Sequence, residues 1–308
     1  MSAHQEELTA ADGSWGRSTS AAPSPSEKAR TLVEALPYIT RFSGKVVIVK
    51  YGGNAMTDAG LARSFARDVV LMRYVGMRPV VVHGGGPQIS ELMRRLDQEP
   101  RFVEGYRVTG EAELDVVRMV LHKTNKDLVA MLNTHGDLAV GVSGEDANLM
   151  RATRMTASGG ADLGFVGEVS AVDPRVVVGL LDAGFIPVVA PIGISEGGQA
   201  LNINADLAAA ALAKALGAAK LVFLTDVEGL YEDFGDRGTL LPRVTVSDLR
   251  RLLEAGKLSA GMLPKVRGCV EAVTSGVERA HILDGRVEHA LLLEIFTDSG
   301  VGTMVTAS

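Results

Sequence analysis

Val46-Val-Ile-Val-Lys-Tyr-Gly-Gly53 and Pro79-Val-Val-Val-His-Gly-Gly-Gly-Pro-Gln88 repeat one local pattern, a β-branched run that ends in glycines. Short continuous runs of valine and isoleucine read as strands buried on both faces. Between them Phe65, Val69, Met72 and Tyr74 recur at helical spacing. After the second run, Pro87 suits the first turn of another helix. Strand, helix, strand, helix with short connections is the signature of a parallel sheet covered on both faces.

Working outward, the rhythm returns in the second half of the chain. Helices are expected over 174–183, 206–216, 247–255 and 264–274, and strands over 186–190, 221–224, 281–283 and 302–305. Between the two regions, 101–109 reads as a hairpin, and 149–154 and 168–172 as small antiparallel strands. Residues 111–132 read as a long helix whose Glu111 and Glu113 sit well against the helix dipole. Upstream, Ala29, Leu32, Val33 and Leu36 give a helix starting near Ser26 an apolar stripe, which Pro37 interrupts. The expected architecture is α/β with a mainly parallel central sheet. The glycine-containing stretch 193–199 is read as a boundary, so that 27–195 and 196–308 form two halves on one sheet. Residues 1–26, rich in Ala, Ser, Thr and Gly, are expected to be a disordered leader.

Composition narrows the function. With 308 residues, 46% of them hydrophobic, the chain can bury a sizeable core. The net charge of −6 leaves no basic stripe to neutralise phosphates, which argues against a general nucleic-acid binder. Cys269 is the only cysteine, so no intramolecular disulfide forms and a reducing cytoplasm is the expected setting. It falls among Val266, Val270 and Val273 and reads as a buried thiol rather than a nucleophile. Glu6, Glu7 and Asp12, with no apolar run, rule against a secretory signal. The most apolar stretch, 176–194, is broken by Asp182, Gly184, Pro187 and Pro191, so no membrane span is expected.

The chemistry lies at strand ends. The chain has neither a Gly-x4-Gly-Lys-Ser/Thr loop nor a Gly-x-Gly-x-x-Gly after a strand, which removes the commonest phosphate and dinucleotide motifs. Instead, Gly52 and Gly53 follow one strand and Gly84, Gly85 and Gly86 another. Glycines there let backbone N–H groups approach an anion, and the helix after Pro87 would aim its positive end at the same place. Lys50 ends the first strand. In Leu201-Asn-Ile-Asn-Ala-Asp206, Asn204 can cap the alanine-rich helix and Asp206 sits in its first turn. In Gly261-Met-Leu-Pro-Lys265, the lysine sits in a first turn, against the helix dipole, where an anion beside it would account for it. Taken singly, these features also read as ordinary glycine turns, a capped helix and a solvated lysine.

In order along the chain, Val49-Lys-Tyr-Gly-Gly53, Val82-His-Gly-Gly-Gly-Pro87, Gly105-Tyr-Arg-Val-Thr109, Leu201-Asn-Ile-Asn-Ala-Asp206, Leu224-Thr-Asp-Val-Glu-Gly229 and Gly261-Met-Leu-Pro-Lys265 resemble the amino-acid kinase family, and within it the kinases of N-acetyl-L-glutamate. The likeness runs from about Glu27 to the C-terminus. It implies an open three-layer αβα sandwich with an acyl-substrate half and a nucleotide half. It also implies phosphorylation of the side-chain carboxylate of N-acetyl-L-glutamate by ATP in arginine biosynthesis. Lys50 and Lys265 would bracket the transferring phosphoryl group, and Asp206 would hold both ammonium groups. Gly52, Gly53, Gly84 and Gly85 would lend N–H groups to the phosphates and the reacting carboxylate. Arg107 and Asn202 would bind the substrate's α-carboxylate. Thr225 and Asp226 would shape the nucleotide site. Mg²⁺ would arrive with ATP, held by phosphate oxygens and water rather than by a protein cage.

Other kinases of the same fold, acting on glutamate, aspartate, carbamate or a nucleoside monophosphate, are the nearest alternatives, and a catalytically silent metabolite sensor is a more distant one. The helix before the first strand and the run Ala280-His-Ile-Leu-Asp-Gly285 with Leu291 to Gly300 resemble the arginine-sensitive branch of the family. That likeness implies a homo-hexamer built as a trimer of dimers and inhibited by L-arginine. Glu294 would pair with the ligand guanidinium, assisted by His281 and the backbone near Gly300.

Overall fold

Helix α1 (Pro25–Phe42) precedes strand β1 (Val46–Tyr51), α2 (Ala59–Tyr74), β2 (Arg78–His83) and α3 (Gly86–Arg95). The hairpin β3 (Phe102–Val103) and β4 (Tyr106–Arg107) leads into α4 (Glu111–Asn133), β5 (Ala139–Ser143), β6 (Met150–Thr156) and β7 (Asp162–Val172). Then come α5 (Arg175–Asp182), β8 (Ile186–Ala190), β9 (Ile192–Ile194), β10 (Ala200–Ile203), α6 (Ala205–Ala215) and β11 (Lys220–Thr225). The chain closes with β12 (Arg243–Thr245), α7 (Val246–Glu254), α8 (Leu263–Thr274), β13 (Arg279–Asp284), α9 (Ala290–Phe296) and β14 (Thr303–Thr306). This computed structural model describes residues 24–157, 159–233, 235–256, 258–259, 261–297 and 300–308, with Asn54 described by its backbone. Residues 1–23, and with them most of the expected leader, lie outside that set.

The valine-rich runs sit at the middle of an eight-stranded sheet ordered β12-β14-β13-β11-β1-β2-β8-β5. Every neighbouring pair is parallel except β13 with β14. Strand alternation sends Val47, Val49 and Tyr51 to the face covered by α2, α4 and α9. Ile48, Val80 and Phe223 face α5, α6, α7 and α8. The molecule is therefore the expected three-layer sandwich. From β1 the chain moves to β2 on one side and later returns to β11 on the other. The carboxyl end of β1 is thus the switch point where open α/β sheets bind ligands.

Several elements escape sequence reasoning. Pro37 lies within α1, the helix expected before the first strand; the residues up to Pro37 group as one compact unit and those from Tyr38 onward as another. The stretch 193–199 takes in the end of β9 and the turn to β10, and these two strands close a small barrel with β6 and β7. Strands β5 and β12 are short edge strands with weak patterns. Helix α9 begins at His289, which takes a left-handed φ of 59°. Asp68 from α2, buried at 2% exposure, accepts from His289 Nδ1 at 2.6 Å and from the N–H groups of Leu291 and Leu292. That cap comes from a distant part of the chain, which is why the local sequence hides it. Burial lifts the Asp68 carboxyl to about 6, its hydrogen bonds opposing the rise. Asp68→Ala is expected to destabilise the protein by roughly 1–3 kcal/mol, since buried donors lose their acceptor. Urea denaturation of the two proteins measures the difference.

Candidate active site

Lys50 shares the Ile48 face of β1 and so points to the layer of α6 and α8. Asn204 caps α6 as expected, its Oδ1 accepting from the N–H groups of Asp206 at 2.9 Å and Leu207 at 3.3 Å. Small residues let α8 come close: a Cβ at Gly268 would stand 3.3 Å from Asp206 O and 3.5 Å from the Ala210 methyl. The first turns of both helices therefore meet over the end of β1. Lys50 Nζ lies 2.9 Å from Asp206 Oδ1. Lys265 Nζ donates to Asp206 Oδ2 at 3.1 Å and to Gly261 O at 3.3 Å. Asp206 is 4% exposed and Lys50 7%. Burial favours a neutral carboxyl at Asp206, but the two ammonium groups together outweigh it and hold the group below its ordinary value. Burial also lowers Lys50, with Asp206 opposing and Lys265 adding to the shift.

The glycine loops flank this triad. A Cβ at Gly52 would come 2.9 Å from Lys50 Nζ, so only glycine leaves the ammonium where it is. Gly53 takes a left-handed φ of 74° and packs against the Asp226 carboxylate. Thr225 and Asp226, at the end of β11, therefore stand beside the first loop. One expectation needs correcting. The Gly84 N–H is not presented to an anion: it donates to Tyr51 O at 2.7 Å and joins the two loops. Gly85 instead is the N-cap of α3, where no side chain caps the helix. Its N–H and those of the first turn carry the positive end of the helix dipole.

The acyl side is assembled from the hairpin and the small barrel. Arg107 is 8% exposed and lies over the Phe102 ring at 4.7 Å. Its Nη2 donates to Gly86 O at 2.9 Å and Ser90 Oγ at 2.8 Å, and Nη1 to Met93 Sδ at 3.3 Å. Burial, reinforced by Arg94, lowers its guanidinium to about 10. Asn202 Nδ2 donates to Thr109 Oγ1 at 3.1 Å. Thr109 is itself held by β7, donating to Leu163 O at 3.0 Å and accepting from Phe165 N at 2.7 Å. Lys50, Gly53, Gly84, Gly85, Arg107, Asn202 and Asp206 line one cavity of about 240 Å³. Gly52, Lys265, Thr225 and Asp226 stand outside its lining, on the side of the first loop, α8 and β11. Arg107→Lys keeps the charge but loses the fork held by α3. It is expected to raise KM for the acyl substrate by roughly 10-fold or more with KM for ATP little changed, as steady-state kinetics would record.

The third group of predicted residues forms a separate site. A cavity of about 720 Å³ is lined by Tyr38, Arg41, Phe42, Lys220, Arg243, Arg279, Glu294 and Gly300 among others. Glu294 Oε1 lies 2.8 Å from His281 Nδ1 and 3.5 Å from Lys220 Nζ, and Oε2 accepts from Val301 N at 3.3 Å. His281 is fully buried on β13 and is not among the residues that line the cavity; it stands behind Glu294. Burial disfavours the Glu294 carboxylate, but His281 and Lys220 outweigh it and keep the group ionised.

Sequence reasoning missed Ser90 and Met93, Thr109 and Lys220. Lys220 opens a strand and looks solvated in sequence, yet it is 4% exposed. Ser90 and Met93 sit one turn apart on α3, a signal visible only once Arg107 is known to reach them. Cys269 is buried as expected, and burial raises its thiol. Among the described residues no helix is long and apolar enough to cross a membrane.

Comparison with known proteins agrees with this geometry. Residues 45–284 match the model of the amino acid kinase family. The acetylglutamate kinase of Desulforamulus reducens is 52% identical over 92% of this chain and 99% of its own. Among solved structures, N-acetylglutamate synthase from Neisseria gonorrhoeae complexed with coenzyme A and N-acetyl-glutamate superposes with a TM-score of 0.81, at 28% identity over 91% of this chain. The same synthase complexed with coenzyme A and L-arginine gives 0.79 at 27% identity over 91%. This chain spans only 63% and 65% of those two synthase chains. With two lysines pinned on one aspartate beside paired glycine loops, and half its residues shared with such a relative, the chain belongs to the amino acid kinase family, in its acetylglutamate kinase branch.

Proposed function

We infer that this protein transfers the γ-phosphoryl group of ATP to the side-chain carboxylate of N-acetyl-L-glutamate, giving N-acetyl-L-glutamyl 5-phosphate in arginine biosynthesis. The observation that carries this reading is the Lys50–Asp206–Lys265 triad, of which Lys50 and Asp206 line one cavity together with Arg107 and Asn202. A carboxylate is already ionised at neutral pH, so its oxygen can attack without a general base. The barrier is repulsion between an anionic nucleophile and a polyanionic donor. Lys50 and Lys265, fixed by Asp206, supply positive charge on the transferring group, and the α3 terminus adds its dipole. Arg107 and Asn202 hold the α-carboxylate end, which sets the distance of attack. Thr225 and Asp226 shape the nucleotide site in the half 196–308, and residues 27–195 carry the acyl half, to which Asn202 reaches across the boundary.

Magnesium would accompany ATP and neutralise charge on its phosphates. That ion would be carried mainly by phosphate oxygens and water rather than by a protein cage. The test is ADP release by the purified protein with N-acetyl-L-glutamate, set against glutamate, aspartate and carbamate. Turnover with the acetylated amino acid should exceed the others by at least about 100-fold, because carbamate offers no α-carboxylate to Arg107 and Asn202, and free glutamate or aspartate brings a charged ammonium where the acetylated nitrogen is neutral. Equal turnover across that panel would sink the assignment.

We also propose inhibition by L-arginine at the second cavity. Glu294 matches a guanidinium, while Arg41, Lys220, Arg243 and Arg279 suit the ligand's carboxylate. The synthase that resembles this chain has been solved with L-arginine. On α1, Leu32, Val33 and Leu36 are 72%, 69% and 57% exposed, an apolar stripe that suits helix exchange between copies in a homo-hexamer, a trimer of dimers. We place the enzyme in the cytoplasm, with residues 1–26 as a leader. Removing residues 1–37 spares Tyr38, Arg41 and Phe42, and is expected to turn hexamers into dimers by analytical ultracentrifugation. A full-length protein that sediments as a dimer would refute the hexamer.

A further inference from the structure

His83 ends β2, is fully buried, and takes no part in the chemistry described above. Its Nδ1 lies 2.8 Å from Gly84 O and its Nε2 3.3 Å from Asn125 Nδ2, on α4. Asn125 is 2% exposed. Its amino group also faces Val188 O at 2.8 Å and Val142 O at 3.3 Å. Two carbonyls accept only from N–H, so the amide cannot be turned around. Asn125 therefore turns its amino side to His83, its two hydrogens shared among the two carbonyls and Nε2, while Gly84 O, which can only accept, requires the imidazole proton on Nδ1. Burial lowers the imidazole to about 4 and keeps it neutral, so the proton sits on Nδ1 and is given to Gly84 O.

That carbonyl belongs to the peptide whose N–H is Gly85. A trans peptide points its C=O and N–H in opposite directions. With Gly84 O drawn toward His83, the Gly85 N–H is turned away from it, at the uncapped start of α3 where Gly84 and Gly85 line the catalytic cavity. We propose that Asn125 and His83 are positioning residues that lock the Gly84–Gly85 peptide with its N–H facing the transferring phosphoryl group and the attacking carboxylate. A second observation belongs to the same chain of contacts. Gly141, on β5, lies so close to Asn125 Oδ1 that any Cβ there would overlap it. Gly141 thus reserves the space that keeps Asn125 aimed at His83.

The inference rests on the kinase reading above, so wild-type activity toward N-acetyl-L-glutamate is measured first. Its absence overturns that reading and leaves the tautomer argument standing. The test then compares His83→Asn, whose amide nitrogen can occupy the place of Nδ1, with His83→Gln, whose nitrogen occupies the place of Nε2. His83→Gln is expected to lower kcat by roughly 10- to 100-fold with both KM values within about twofold, since one aligned donor is worth up to about 100-fold or more. His83→Asn should stay within about threefold of the wild type. Imidazole ¹⁵N shifts should show His83 protonated at Nδ1 and bare at Nε2 across pH 6 to 8. If His83→Gln does not fold, Gly141→Ala provides the same reading from outside the site, through a displaced Asn125, and should again lower kcat while sparing KM. Equal losses in the two His83 variants, a bare Nδ1, or a Gly141→Ala enzyme with normal kcat would each overturn the proposal.

Discussion

Lys265→Ala is expected to lower kcat by about 100-fold or more while leaving the melting temperature within a few degrees of the wild type. The ammonium matters most when charge is moving between donor and acceptor, and water cannot replace it at a site this dry. Asp206 keeps Lys50 as its partner in that variant, so no buried carboxylate is stranded. Lys50→Ala should cost about as much. The double variant should be little worse than either alone, because the two lysines act as one unit through Asp206. The same geometry sets the alkaline limb of kcat/KM. Lys50 must be protonated to act, and burial puts its pKa below the ordinary 10.5, so activity should be lost as pH rises, beginning below that value. Near-normal turnover in either single variant would remove that lysine from the mechanism.

Glu294→Gln is expected to raise the arginine concentration needed for half inhibition by about 100-fold or more, with kcat and both KM values unchanged. The carboxylate is 9% exposed and faces a cavity otherwise rich in cations. Glutamine keeps the shape but takes away the only acid among the residues named for that cavity, so an arriving guanidinium would meet Lys220, Arg279 and Arg243 without compensation. Its loosest present partner is Lys220, at 3.5 Å, and this is the contact a ligand would replace. Inhibition curves for the two proteins, run alongside ADP release without arginine, separate the sites. An unchanged response would show that arginine acts elsewhere or not at all.

Much of this was legible in the sequence because the relevant signals were local. Valine runs ending in glycine fixed the central strands, Asn204 announced the start of α6, and Pro264 placed Lys265 in a first turn. What escaped depends on tertiary partners. Gly84 looks like an anion donor until β1 is seen to claim its N–H, and Gly85 takes over. His281 stands behind Glu294, the residue it supports, and not among those that line the cavity. Helix α9 has no local start signal because its cap, Asp68, lies on α2. The barrel strands β9 and β10 are too short to stand out beside Pro191 and Gly193, which resemble linker residues.

Thr109 ties the hairpin to the barrel through main-chain bonds to Leu163 and Phe165 and receives Asn202 on its hydroxyl. Gly164, at a φ of 72°, leaves the room for this approach, since a Cβ there would overlap Thr109 O. Arg107 and Asn202, which we assign to the acid, therefore sit on a hairpin and a barrel strand that this threonine joins, while Lys50 lies on the central sheet and Asp206 and Lys265 on its helices. A change at that joint would alter the acid accepted while leaving in place the groups that handle phosphate.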